Sequence, residues 1–145
     1  GVKYWVEKYT TRLDLRRTEI VKILTTLASP GILPALIHCA GGKDRTGVMA
    51  ALILGLARVP VETIAEDYAL SAPYLLSRYL NEEAPPEVAV SGYTWQEYQR
   101  DHCPREAMVG TLHYLEESYG GIEAYVTGAG MTQEQVETLR HALVK

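Results

Sequence analysis

The sequence predicts an α/β chain dominated by helices, in which one short buried strand runs through a polar loop into a buried helix. Three observations carry this. Residues 34–39 (PALIHC) are apolar on both faces and bounded by proline and glycine, as in a strand covered on both sides. Long stretches on either side place apolar residues at helical spacing and end at Gly or Pro. Between strand and helix lies HCAGGKDRTG, residues 38–47, a dense polar segment between two apolar ones.

Taken in order, residues 18–28 carry apolar side chains at 20, 21, 23, 24, 27 and 28, the spacing of a helix that ends at SPG and could begin as early as Leu13. The strand follows at Pro34 to Cys39. Thr46 to Arg58 is apolar nearly all round and rich in Ala and Leu, which predicts a buried helix broken at Val59-Pro60. Val61 to Leu70 resumes with Pro60 at the first helical position, and Pro73 opens a short helix to Leu80. Residues 81–94 read as the loosest region, and 95–103 are left unassigned. A periodic helix from Pro104 to Tyr119 stops at Gly120-Gly121, and Ile122 to Val126 is a short helical piece. Thr132, with Gln135 three residues on, caps a last helix to Leu143. A lone parallel strand leaves its backbone groups without partners. The remaining strands are therefore expected before residue 1, from another chain, or within Val2 to Leu15. The start at GVKYWVEKY without Met is read as an N-terminal truncation, with the sheet portion missing and residues 1–145 forming a single domain.

The 145 residues are 47% hydrophobic and 22% charged, as in ordinary globular chains. With a net charge of −4 and no dense basic cluster, no nucleic-acid partner is expected. Any anion site must be local. Two cysteines, Cys39 and Cys103, are too few for a disulfide scaffold. A reducing, cytoplasmic compartment is the default, with secretion open if an upstream signal has been removed. The longest apolar run, Val48 to Ala57, is too short to cross a bilayer. Contact with a membrane surface is left open.

If residues 38–47 close as strand, loop and helix, the amides of Ala40 to Arg45 form an anion nest completed by the helix N-terminus. Gly41 and Gly42 permit the backbone angles and close approach this needs. Arg45, six residues after Cys39, can fork onto two phosphate oxygens while the sulfur lies beneath phosphorus. The amides favour thiolate at Cys39, which makes it a nucleophile at neutral pH. Thr46 can donate a hydrogen bond to that sulfur, and His38 is read as holding the loop.

This Cys-x5-Arg signature, with a preceding His and a following Thr-Gly, resembles the protein tyrosine phosphatase superfamily. The GKDRTG form is similar to the bacterial and fungal branch whose members also act on phosphoinositides. IAEDYALS at 64–71, EESYGGIEAYV at 116–126 and the TQEQVETLRHALV that follows resemble its later segments, so the resemblance covers about residues 18–145. It implies a tyrosine phosphatase-like fold and a cysteinyl-phosphate intermediate. In the implied mechanism Cys39 is nucleophile, Arg45 phosphate ligand and Asp44 general acid. Ala40, Gly41, Gly42, Lys43 and Thr46 form the substrate cradle, with Asp67 in support on the following helix. Lys43 at the rim suits a polyphosphorylated substrate, so the partners implied are a phosphorylated protein or a phosphoinositide. Neither metal nor cofactor is expected, because the nest and Arg45 supply the positive charge.

Plainer readings stand beside these. A Walker-type loop fails because Asp44 replaces Ser/Thr and Ile37 stands where its first glycine belongs. Asp44 could simply cap the following helix, and Lys43 could be a solvated rim residue. Val109 stands where a second loop at His102-Cys103 would need its arginine, so those residues and the other histidines are ordinary ones. The ten tyrosines, in a chain without Phe, fill aromatic core positions, and Arg16-Arg17 is a solvated pair. A non-catalytic phosphate-binding module is the rival function.

Overall fold

A computed structural model describes residues 1–144; Lys145 lies outside the described residues. The chain starts with α1 (Val2–Leu15), which buries Trp5, Tyr9 and Leu13 at four-residue spacing on one face. α2 (Arg17–Leu27) buries Ile20, Val21, Leu24 and Leu27. An irregular segment then leads to α3 (Asp44–Leu56), the buried helix expected from its apolar composition, with Val48, Met49, Ala51, Leu52 and Leu56 in the core. α4 (Val61–Ala69) follows Pro60 and α5 (Ser71–Arg78) carries Pro73 in its first turn, where no N–H is needed. α5 runs on through a π-helical turn, Tyr79–Glu83, to the short α6 (Pro86–Ala89). α7 (Trp95–His102), α8 (Arg105–Tyr119), α9 (Ile122–Thr127) and α10 (Gln133–Leu143) complete the chain.

α8 is the hub, packing against α1, α4 and α9, while α3 packs on α4 and α9 and α5 pairs with α7. Long-range polar ties fix the periphery to this core. Arg140 of α10 is buried and donates from Nε to the Leu56 carbonyl oxygen at 2.7 Å, with Glu123 and Glu137 pairing its remaining nitrogens. Arg17 donates to the Tyr125 carbonyl oxygen at 3.0 and 2.7 Å beneath the Tyr119 and Tyr125 rings. The Arg16-Arg17 pair is thus split. Arg17 joins α2 to α9, and only Arg16 stays exposed, beside Glu19. The tyrosines divide similarly: Tyr9, Tyr68, Tyr98 and Tyr125 are buried, whereas Tyr4 and Tyr74 lie in solvent.

Two expectations are corrected. Residues 34–39 do not form a strand: no β-ladder exists among the described residues, and Leu36 is 88% exposed. A strand persists through a neighbour that takes its hydrogen bonds, and none lies alongside this segment. Residues 2–15 hide no strand either, since they form α1. The α/β class is therefore not realised in the described residues, which are helical, while the loop-to-helix half of the expected core is present.

Candidate active site

Cys39 ends the extended segment, half-buried, three residues before a glycine turn. Gly42 has φ +70°, in the left-handed region glycine adopts without strain, and its N–H donates to Cys39 Sγ at 3.3 Å. Gly42 needs glycine for its backbone angle, and protein atoms crowd a Cβ added at neither Gly41 nor Gly42. Thr46, in the first turn of α3, donates its hydroxyl to the same sulfur at 3.1 Å. Burial alone would raise the Cys39 pKa, but the hydroxyl and amide of Thr46 and the amides of Gly42 and Gly41 outweigh it, lowering the thiol to about 7.

Asp44 opens α3 but does not cap it with its side chain. Its carboxylate reaches back to α1, accepting from Lys8 Nζ at 2.9 Å and the Tyr9 hydroxyl at 2.7 Å. Because the single Tyr9 proton goes to Asp44, the Tyr68 hydroxyl, 2.6 Å away, must be the donor to Tyr9. Burial pushes the Asp44 pKa up, yet the Lys8 and Tyr9 bonds and the Lys43 charge prevail and hold it below the usual carboxylate range. Burial, together with Tyr68 and Asp44, pushes the Tyr9 hydroxyl far up, so it remains a donor.

Lys43 does not stand free at the rim. Its ammonium donates to the His102 carbonyl oxygen at 2.7 Å, lies 4.0 Å from the Trp5 ring centroid and sits 3.5 Å from Asp44. Burial lowers its pKa against the pull of Asp44. Arg45 is exposed and has no hydrogen bond or ion pair among the described residues. Ala40 offers its carbonyl oxygen to Arg78 Nη1 at 3.4 Å. His38 is exposed, and its Nδ1 comes no closer than 3.4 Å to the Cys39 carbonyl oxygen. Asp67 is corrected: it is exposed on α4 with no side-chain hydrogen bond to the loop, and its neighbour Tyr68 is the residue facing inward.

Cys39, Ala40, Gly41, Lys43, Asp44 and Arg45 open on one cavity of about 720 Å³. Its other walls come from α1, α2, the second turn of α3, α5 and its π turn, and α7, including Arg12, Arg16, Ile20, Met49, Leu75 and Arg78. Sequence reasoning missed Lys8, Tyr9, Trp5 and Arg12. The signal was the repeat of Trp5, Tyr9 and Leu13, which marks a buried helix face and puts Lys8 and Arg12 one turn apart along its edge. Chemically, the site offers an activated sulfur, a free guanidinium and donor amides at a helix N-terminus, an arrangement for attack on an anionic centre.

Residues 1–145 match the model of the tyrosine phosphatase family. A tyrosine-protein phosphatase of Nostoc commune is 28% identical over 138 residues, covering 92% of this chain and 47% of that protein. The triple specificity protein phosphatase PtpB of Mycobacterium tuberculosis (strain ATCC 25618 / H37Rv) is 27% identical over 157 residues, 99% of this chain and 56% of that protein. The chain spans about half the length of the curated relatives it matches.

Proposed function

We propose, from the premise that this chain belongs to the tyrosine phosphatase family, that it hydrolyses phosphotyrosine with Cys39 as nucleophile. The observation carrying this reading is the sulfur, which accepts from the Gly42 amide and the Thr46 hydroxyl; these bonds favour the thiolate and bring the thiol down to about 7. The thiolate attacks phosphorus, the bond to the tyrosyl oxygen breaks, and a cysteinyl-phosphate forms. Water then attacks that phosphorus and the sulfur leaves as thiolate, stabilised by the Thr46 hydroxyl. Arg45 binds the phosphoryl oxygens through each step, since its fork is not engaged by protein. The helices act as one catalytic domain in this reading, and the relatives' names support a phosphoprotein substrate.

Asp44 is the proton donor to the leaving tyrosyl oxygen. With the site empty its carboxylate is charged, the wrong form for an acid. A phosphate dianion facing it in the shared cavity disfavours that charge and favours the protonated form, which can donate.

Hydrolysis of p-nitrophenyl phosphate in EDTA tests the reading. Turnover is expected from the chain and none from Cys39→Ser, which still binds phosphate. A folded chain that binds phosphate but turns nothing over would be the non-catalytic module instead. In Asp44→Asn the rate should fall at least about tenfold more with an alkyl than with a nitrophenyl leaving group, because only the poor leaving group needs the proton. Equal losses would confine Asp44 to anchoring the loop.

A further inference from the structure

We infer that the cavity receives a second anion beside the scissile phosphate, that Arg12 binds it, and that the preferred substrate is a phosphotyrosyl peptide with an acidic side chain next to the phosphotyrosine. This rests on the reading of Cys39 as the phosphotyrosine site.

The cations around the cavity divide sharply. Arg16 faces Glu19 at 3.4 Å, and Arg78 holds Glu82 at 2.9 Å with Glu83 at 4.0 Å. Lys43, which the sequence put at the rim as a reader of extra charge, is occupied by the His102 carbonyl, Trp5 and Asp44. Two guanidinium groups are left with no partner among the described residues, Arg45 and Arg12. Arg45 is taken by the scissile phosphate. Arg12 lines the same cavity, and its Nη1 is buried with no hydrogen-bond partner. A buried charged donor without an acceptor is costly and rare in folded proteins. Nη1 itself is shut off from solvent while the other guanidinium nitrogens are not, so an anion in the cavity meets Arg12 through those and a turn of the group brings Nη1 to it; a carboxylate matches the guanidinium fork in shape.

The position of Arg12 agrees with this. It lies one turn beyond Lys8 on α1, and Lys8 grips Asp44 inside the loop. One helix edge therefore serves the loop and, a turn further, the outer cavity. The walls include hydrocarbon from Ile20, Val48, Met49 and Leu75, beside the carboxylates of Glu19 and Glu83, which are paired to Arg16 and Arg78. The hydrocarbon part of the wall suits a tyrosyl ring and peptide side chains. The chain's net charge of −4 gathers no anions by itself, so a preference for an acidic neighbour must come from a local group such as Arg12.

The test compares phosphotyrosyl peptides flanked by aspartate or by alanine, using the chain, Arg12→Gln and Arg12→Lys, with an inositol bisphosphate headgroup as competitor. The chain should favour the aspartate peptide in kcat/KM by about tenfold, the size of one charge-assisted pair. That ratio should collapse in Arg12→Gln and return in part in Arg12→Lys. Equal kcat/KM for both peptides in the unsubstituted chain overturns the proposal, however Arg12→Gln folds. A loss in Arg12→Gln that is equal for both peptides also overturns it, since Arg12 would then serve the scissile phosphate or the fold. A headgroup that outcompetes the aspartate peptide overturns the peptide assignment in favour of a lipid. If neither peptide is turned over, Kd values for the Cys39→Ser protein decide. The same preference there upholds the second-anion site while the catalytic reading fails, and no preference overturns the site.

Discussion

A single hydroxyl sets much of the chemistry at Cys39. Thr46 Oγ1 supplies one of the bonds that bring the thiol down to about 7. The sign follows directly: thiolate is the reactive form, so alkylation by iodoacetamide should rise with pH through about 7 and level off above it. Thr46→Val keeps the shape and removes the donor, which raises the pKa and moves the rise to higher pH. A hydrogen bond to a charged acceptor contributes about 1.5–3 kcal/mol, so alkylation at pH 7 should slow about tenfold or more. An unchanged pH profile would mean that the amides alone hold the thiolate. The pairing of Cys39 with Thr46 was legible in the sequence because both partners lie in one short loop. The placement of Lys43 and Asp44 was not. Their partners Trp5, Lys8, Tyr9 and His102 lie 35 residues or more away in sequence, and no local spacing encodes that meeting.

Helix ends were the most legible elements, because capping is local chemistry. Thr132 Oγ1 accepts from the Gln135 amide at 3.1 Å and Gln135 Oε1 accepts from the Thr132 amide at 2.8 Å, the reciprocal pair that the spacing predicted. The same signal at Thr94 and Glu97 went unread, and with it α7, whose polar surface buries only Tyr98. α8 ends where Gly120 turns left-handed at φ +84°, with its amide bonded to the Glu116 carbonyl oxygen at 3.0 Å. A side chain there is strained whatever the space around it. Gly120→Ala should lower the unfolding free energy by about 1–2 kcal/mol in urea titrations, with no change in m-value. A neutral result would show that the end of α8 shifts to accommodate it. The strand at 34–39 was misread for the opposite reason: an apolar run reports the propensity of a segment, while a strand exists only through its neighbour.

Across the whole molecule, backbone hydrogen bonding is distributed unevenly among the described residues. α8 and the helices packed on it bury the largest side chains, including Tyr9, Leu13, Met108, Leu115 and Tyr125. From Ile32, whose amide reaches Ser29 at 3.4 Å, no amide through Ala40 donates to protein among the described residues; Gly42 is then tied only to the Cys39 sulfur. Native-state hydrogen exchange should therefore show two classes. Amides in the middle of α1, α3 and α8 should exchange together, through global opening, while residues 33–40 exchange near the rate of unstructured chain. If the loop amides form the proposed anion nest, adding inorganic phosphate should slow exchange at residues 40–46 and leave 33–38 fast. Residues 33–38 protected as strongly as α8 would instead mean that a second chain has laddered onto the extended segment, with exposed Leu36 covered by it. In that case protection should depend on protein concentration, a distinction the same exchange experiment makes at two dilutions.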